Sequence, residues 1–351
     1  MAIIDKPSDY FNTKLFTGNG GTNAITGVGF QPDWIWFKNR TSAQSHAIVD
    51  SVRGRKGLQS NATDTEYTLA SGKDFGTFDS DGFTVLTPQQ LNSFNYNTGS
   101  IVSWNWKAGT SVSGNTSGSG TAKAYSGSVN TTSGFSIITY LGNGTAGHAI
   151  PHHLGTTPAL VIARTISVAK DWNVYHHKNT SAPETEVLVL NTTAATADDL
   201  GVWNDTAPTS SVVTLGDSSQ LNTNDGTCIL YAFSEKQGFS KMGSYTGNGN
   251  AYGAFIYTGF KPAFVLVKRT DSANDWCLYD NKRDTYNVVQ DKLQPNQSSA
   301  ESDDTSMDFV SNGFKFRETG GNFNASGGTY IYMAFAENPF VASNFNAATA
   351  R

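Results

Sequence analysis

The sequence predicts an all-β protein built as three tandem homologous antiparallel β-sandwich domains of jelly-roll or lectin-like type. Three observations predict it. The first is a ten-residue pattern that occurs three times. Residues 259–268 read G-F-K-P-A-F-V-L-V-K, residues 29–38 read G-F-Q-P-D-W-I-W-F-K, and residues 155–164 read G-T-T-P-A-L-V-I-A-R. Glycine and proline punctuate each start, and the apolar run that follows suits a strand buried on both faces. Each copy ends in a cation, which is expected to mark where the strand emerges into water.

The second observation is that the flanking signals recur in register. A Gly-Asn-Gly turn lies upstream at 18–20, 142–144 and 247–249, and a glycine-led closing strand lies downstream at 99–106, 226–233 and 328–335. Asn and Gly tolerate the positive φ of tight turns. Gly18 to Trp106, Gly142 to Phe233 and Gly247 to Phe335 are separated by 88, 91 and 88 positions. That spacing argues for duplication of a whole domain, since stacked solenoid modules repeat at roughly 20–50 residues. The third observation is composition. Gly, Asn, Ser and Thr are abundant and charged residues make up 15%, as in short strands joined by polar turns.

Taken in order, residues 1–13 read as an N-terminal arm with an aromatic hook at Tyr10 and Phe11. Repeat 1 spans 14–109. Its closing strand alternates, with Val102, Trp104 and Trp106 on one face and Ile101, Ser103 and Asn105 on the other. Residues 110–133 are rich in Gly, Ser and Thr and read as a linker with little to bury. Repeat 2 spans 134–235, with Ile229, Tyr231 and Phe233 inward. Repeat 3 spans 240–338, with Ile331, Met333 and Phe335 inward, and 339–351 form a C-terminal tail. Only a few residues join repeats 2 and 3, so flexibility is expected at the first joint, and each repeat is expected to bury a core of its own. A second strand is marked by D-W-N-V-Y at 171–175 and D-W-C-L-Y at 275–279, with S-H-A-I-V at 45–49 in repeat 1. Asp50 with Arg53, and Asp280 with Arg283, then match as pairs that pin a turn. Helix signal is thin and centres on 195–200.

Composition also bounds function. The balance of 24 basic to 29 acidic residues gives no general grip on a polyanion, so no nucleic-acid partner is expected. No run of 18 apolar residues exists, so no membrane insertion is expected. The first residues lack the basic start and apolar core of a signal peptide. Cys228 and Cys277 occupy non-equivalent places and are expected as buried free thiols.

No motif for chemistry emerges. His148, His152, His153, His176 and His177 lie in one repeat, but no Cys or Glu completes a zinc spacing. The run Asp79-Ser80-Asp81-Gly82 resembles the start of a calcium loop without its later ligands, and a turn explains it. Glu66, Glu184, Glu186 and Glu318 form no repeated carboxylate pair for glycoside hydrolysis. Residues 114–118 read G-N-T-S-G, with Thr where a nucleophile elbow needs Ser. The expectation is a non-enzyme with no catalytic, cofactor-binding or metal residues. Tyr125, Tyr252, Tyr257 and Tyr286 are candidates for stacking on sugars, but ordinary packing explains each of them as well, and binding residues are unknown.

Three stretches carry a family resemblance. Residues 6–15 (K-P-S-D-Y-F-N-T-K-L) with 26–36 (T-G-V-G-F-Q-P-D-W-I-W), residues 131–147 (T-T-S-G-F-S-I-I-T-Y-L-G-N-G-T-A-G) and residues 326–340 (S-G-G-T-Y-I-Y-M-A-F-A-E-N-P-F) resemble a repeat domain of virion proteins from marine bacteriophages, in particular those of cyanobacteria and pelagic bacteria. The resemblance implies a β-rich virion surface structural protein of tail fibre or tail knob type, assembled in the host cytoplasm and mediating host adsorption without catalysis. It implies partners among other tail or capsid proteins, a host cell-surface polysaccharide or protein as receptor, and a homo-oligomer, with a trimer favoured. Long fibres usually begin with a tail anchor, whereas repeat 1 starts here almost at once. The alternative expectation is therefore a capsid decoration protein on the head surface.

Overall fold

The computed structural model of the protein describes residues 3–303 and 307–343. The fold is all-β, with strands gathered into several antiparallel sheets, none closed into a barrel. Six sheets are found among the described residues, and they fall into three large-plus-small pairs along the chain. The pairs are called sections one, two and three.

The large sheets share an inner strand order. In section one Phe11–Thr17 pairs with Ser100–Trp106, which pairs with Trp34–Asn39, which pairs with Ala47–Asp50. Section two repeats this with Phe135–Leu141, Thr227–Phe233, Leu160–Thr165 and Asn173–His176. Section three repeats it with Ser240–Thr246, Thr329–Pro339, Phe260–Arg269 and Cys277–Asp280. The small sheets are Asn23–Thr26, Gly82–Val85 and Phe75–Asp79 in section one. They are Ser117–Gly118, His148–Pro151 and Val212–Leu215 in section two, and Phe255–Tyr257, Gly313–Phe316 and Met307–Val310 in section three.

Alternation along the strands explains how each large sheet is covered twice. On one face Ile35, Phe37, Val49 and Ile101 pack against Ile25, Phe83 and Val85 of the small sheet, a sandwich-like core local to section one. Sections two and three have their own local cores in the same way. The opposite faces meet each other. Val102, Trp104 and Trp106 join Ile229, Tyr231 and Phe233, and Ile331, Met333 and Phe335, in one further core shared by all three sections. At its centre Trp34 lies 4.4 Å from Trp106 and 4.8 Å from Tyr231, while Phe335 lies 5.0 Å from Phe11 and 6.0 Å from Phe233, measured between ring centroids. Aromatic side chains bring the largest buried area per residue and gain from tilted or edge contacts. A core built of them ties the sections together rather than leaving each alone.

Several expectations change accordingly. The Gly/Ser/Thr stretch 110–133 is not a free linker. It holds the strands Thr110–Asn115, Ser117–Gly118 and Ala124–Asn130, the first and last of which extend the large sheet of section two. Small polar residues suit that role because an outer strand needs backbone bonds more than buried side chains. The first joint is bridged by Trp34 against Phe135, 5.7 Å apart. The arm is part of the fold: Ile4 donates its amide to the Gln237 carbonyl, Tyr10 packs on Phe239, and Phe11 opens the first strand. The helix window shifts, since Ala197–Asp198 is a strand and a single turn, Leu200–Trp203, follows it, capped by Asp199. The terminal cations do not emerge into water, for Lys38, Arg164 and Lys268 are fully buried. Of the tail 339–351, residues 344–351 lie outside the described residues. Both cysteines are buried free thiols.

Candidate functional site

The polar residues of the shared core are organised as three junctions, each passing in the same direction round the molecule. A loop of section one holds section two, a loop of section two holds section three, and a loop of section three holds section one. The buried cations show the pattern first. Arg164 donates to the carbonyls of Ala62, Thr63 and Asp64, Lys268 to that of Thr193, and Lys38 to that of Ser298. Loop carbonyls take the place of water, so the strand ends can be buried while charged. Burial still disfavours the charge and pushes Lys38 and Lys268 down to about 8 and Arg164 down to about 10.

Backbone bonds repeat the pattern. The amides of Glu66, Thr196 and Glu301 donate to the carbonyls of Ile166, Thr270 and Arg40 at 2.8, 2.9 and 2.9 Å. The indole of Trp172 donates to the Gln59 carbonyl at 2.7 Å and that of Trp276 to the Val189 carbonyl at 3.0 Å. In the third junction His46 stands in for tryptophan, and its Nδ1 accepts from Trp36 Nε1 at 3.0 Å. Burial holds this imidazole neutral, well below its ordinary pKa.

The Asp–Arg pairs lie at the centre of two junctions. Asp50 accepts from Arg53 Nε at 2.6 Å and from the Tyr231 hydroxyl at 2.7 Å, and Arg53 reaches Glu66 at 3.1 Å. Asp280 accepts from Arg283 Nε at 2.6 Å and from Trp104 Nε1 at 2.9 Å, and Arg283 reaches Glu301 at 2.8 Å. Burial works against both guanidinium charges, but the carboxylates outweigh it and hold both pKa values above the ordinary arginine range. The equivalent place in section two is neutral. His176 bonds the Tyr332 carbonyl through Nε2 at 3.1 Å, and Thr196 donates to Asn179 at 2.7 Å. Each pair does pin a turn, because Asp50 and Asp280 also accept from the amides of Arg53 and Arg283. It serves the neighbouring section as well. Glu66 and Glu301 are equivalent too, each reached by the arginine of its section, so one glutamate place does repeat. They lie 16 and 21 positions after their aspartates, and the difference in loop length hides the match.

The remaining candidates do not converge. His148 bonds Asn222 and Thr116, His152 the Thr209 carbonyl, His153 the Tyr125 hydroxyl, and His177 the Met242 carbonyl. Among the described residues no three His, Cys, Asp or Glu side chains gather as a metal site. Asp81 accepts from the amides of Gly27 and Gly29 at 3.0 and 2.7 Å, and Asp79 from the hydroxyls of Thr77 and Thr84. Those carboxylates are occupied in fastening a turn.

Exposed rings concentrate on section three. Tyr252, Phe255, Tyr257 and Tyr286 are well exposed, while Tyr125 is half-buried against His153. Phe255 and Tyr257 stand on the outer face of the strand Phe255–Tyr257, with Ile256 between them turned into the core. The model for DUF7483, a domain of unknown function, matches residues 6–339. The chain belongs to that family. No curated protein and no solved structure matches it.

In the DUF7483 chain a cleft of about 560 Å³ opens between sections one and two. Its walls carry Gln31, Ser51, Ser111, Ser126 and Ser128, with Asp33 beneath. Burial raises the Asp33 pKa, although Ser51 and the Ala108 amide bond its oxygens at 2.7 and 2.8 Å. No histidine or lysine lines this cleft to activate a serine. Among the described residues no helix is long and apolar enough to cross a membrane.

Proposed function

We propose that the chain is a non-enzymatic surface-binding protein whose three sections descend by duplication from one β-sandwich unit. The observation that carries this reading is the division of labour in the side chains. The charged clusters sit between sections and bond one another, whereas exposed aromatic rings are most numerous in section three, where Phe255 and Tyr257 stand on the outer face of one strand. Matching strand orders and cyclic junction bonds support the duplication. Joining three sections in one body would let weak contacts act together where geometry allows it.

The leading role is adsorption to a host surface as part of a phage tail fibre or tail knob. The family resemblance of the sequence supports the virion setting, and capsid decoration is the second reading. Mass spectrometry of purified particles separates them. Tens of copies per particle fit a tail protein, hundreds fit the head, and complete absence sinks both. A trimer of chains remains part of the proposal. Light scattering is expected to give three times the chain mass of 37.6 kDa, and a single chain mass would leave the internal three-section arrangement to do that work.

A further inference from the structure

We propose that the outer face of section three is a binding site for a neutral hexose-containing glycan, held by Tyr252, Phe255 and Tyr257. This deepens the surface-binding reading and rests on it for the choice of a glycan-bearing surface.

The observation is a break in the internal repetition. Ile25, Ile150 and Ile256 occupy the same place in the three small sheets, paired with Phe83, Val213 and Phe314. The residue before each is Ala24, Ala149 or Phe255, and the residue after is Thr26, Pro151 or Tyr257. The fold therefore works with a small residue at the first place and without a ring at the second. Section three alone puts aromatic rings there, 49% and 59% exposed. The Gly-Asn-Gly loop is also longer in section three, with eight positions from Gly247 to Phe255 against six from Gly18 to Ala24. The extra length delivers Tyr252, 78% exposed. That loop is set in advance, since Asn250 Oδ1 accepts the Tyr252 amide at 2.8 Å and Asn248 Nδ2 donates to its carbonyl at 3.3 Å.

The surroundings suit a sugar. Lys315 lies directly across from Phe255 in the ladder, with its Nζ 5.6 Å from the Tyr252 ring. Asp308 follows in the same row and pairs with Arg317 at 2.6 Å. Phe255 lies over Gly313, where a side chain would block it. Tyr257 forms a wall of a cleft of about 410 Å³ shared with Glu235, Gln237 and Lys241. Residues two apart on a strand sit about 7 Å apart, a spacing that lets two rings meet successive parts of a chain ligand. A pyranose offers C–H bonds to the negative face of a ring and hydroxyls to Lys, Arg, Asp and Gln at its edge. A folded partner is a poorer fit. Three partly exposed rings supply on the order of 400 Å², about half of what each side of a stable protein interface buries.

The test uses the full chain in native gels containing dextran, mannan or a neutral galactan, with dextran sulfate as a fourth gel. Phe255→Ala and Tyr257→Thr install residues that section one already carries at these places. Their thermal melts are expected to match the parent, and any fold failure is visible there. At least one neutral polymer should retard the parent. Binding should weaken tenfold or more in both variants and in Tyr252→Ala, and stay unchanged in Tyr286→Ala. The proposal is overturned by no retardation in any neutral gel, by retardation equal in parent and variants, by retardation in dextran sulfate alone, or by loss of self-association in Phe255→Ala, which would make the face a contact between copies. Binding of labelled chain to host cells separates the two readings. Adhesion that survives Phe255→Ala removes this site and keeps adsorption. Glycan binding without any adhesion does the reverse.

Discussion

Trp104 and Asp280 lie 176 positions apart and meet through a buried hydrogen bond of 2.9 Å from indole Nε1 to carboxylate Oδ2. The Arg283 guanidinium lies over the same indole, 5.8 Å from its ring centroid. One aspartate therefore fixes a turn of section three and receives a side chain of section one. Asp50 does the same for Tyr231 of section two. The junction between sections two and three makes do with the neutral set His176, Asn179 and Thr196. Ionic groups are thus one of two ways this architecture closes a junction. Buried ion pairs often give little net stability over a neutral replacement, yet losing one partner is costly.

Arg283→Met is expected to destabilise the protein by about 3–5 kcal/mol, because it strands Asp280 and Glu301 in the interior. The triple change Asp280→His, Arg283→Asn, Glu301→Thr installs the neutral set. It should cost less than the single change despite touching three residues. Urea denaturation of both variants decides it, and a triple variant less stable than Arg283→Met would refute interchangeability.

Phe335→Ala should cost about 3–5 kcal/mol, the usual range for an aromatic lost from a core. Since Phe335 touches Phe11, Trp106, Phe233, Phe239 and Phe264, the loss should not be confined to section three. Calorimetry of the parent should show one transition, and the variant should move all of it downward. Three separable transitions, with one shifted, would show that the shared core does not couple the sections.

Much of this architecture was legible because strands have a period of two. Alternation in 101–106 separated Val102, Trp104 and Trp106 from Ile101 and Ser103, and the two sets do face different cores. What alternation cannot say is what lies opposite. The face that read as the core of one repeat is the face shared by three. The terminal cations misled for the same reason, since a charged residue after an apolar run looks solvent-bound until a neighbour's carbonyls are in place. The Asp–Arg pairs were visible at a spacing of three, but their glutamates were not, because loops of different length carry them. Residues 110–133 lacked apolar content, and an outer strand held by backbone bonds needs little. The exposed tyrosines were visible as residues. That two of the three sections omit rings at equivalent places requires the strand register.

Gly82 and Gly313 precede Phe83 and Phe314, and at both places an added Cβ would lie 2.0 Å from a backbone oxygen, of Ile25 and Ile256 respectively. Backbone cannot yield as a side-chain tip can. Gly82→Ala and Gly313→Ala should each destabilise by roughly 1–3 kcal/mol, in the range of other local backbone strain, whereas Gly54→Ala, with open space around its Cβ but a φ of +68°, should cost only about 1 kcal/mol. Thermal melts that leave Gly82→Ala level with Gly54→Ala would contradict the close approach.

Stability should fall on acidification in two windows. Burial pushes His152 down to about 4 and His176 down to about 3, while an unfolded histidine titrates near 6.5. Between those values the unfolded chain binds protons that the folded chain refuses, so stability rises with pH across the interval and is lost as pH falls below about 6.5. Each group contributes up to about 1.4 kcal/mol per pH unit. Asp280 acts lower. Its burial favours the neutral acid, but Arg283 and the bonds it receives outweigh that and hold its pKa below the ordinary value. Its contribution is present above about pH 3.9 and is lost as pH falls through the folded value. Denaturant midpoints measured from pH 7 to pH 4.5 should therefore drop, with Asp291, pushed up to about 6 by burial, taking up its proton in the folded chain within the same window and offsetting part of the loss. His176→Asn keeps a donor for the Tyr332 carbonyl and removes one titrating group, so it should flatten the slope in that window. A slope identical to the parent's would show that His176 is not the group held neutral.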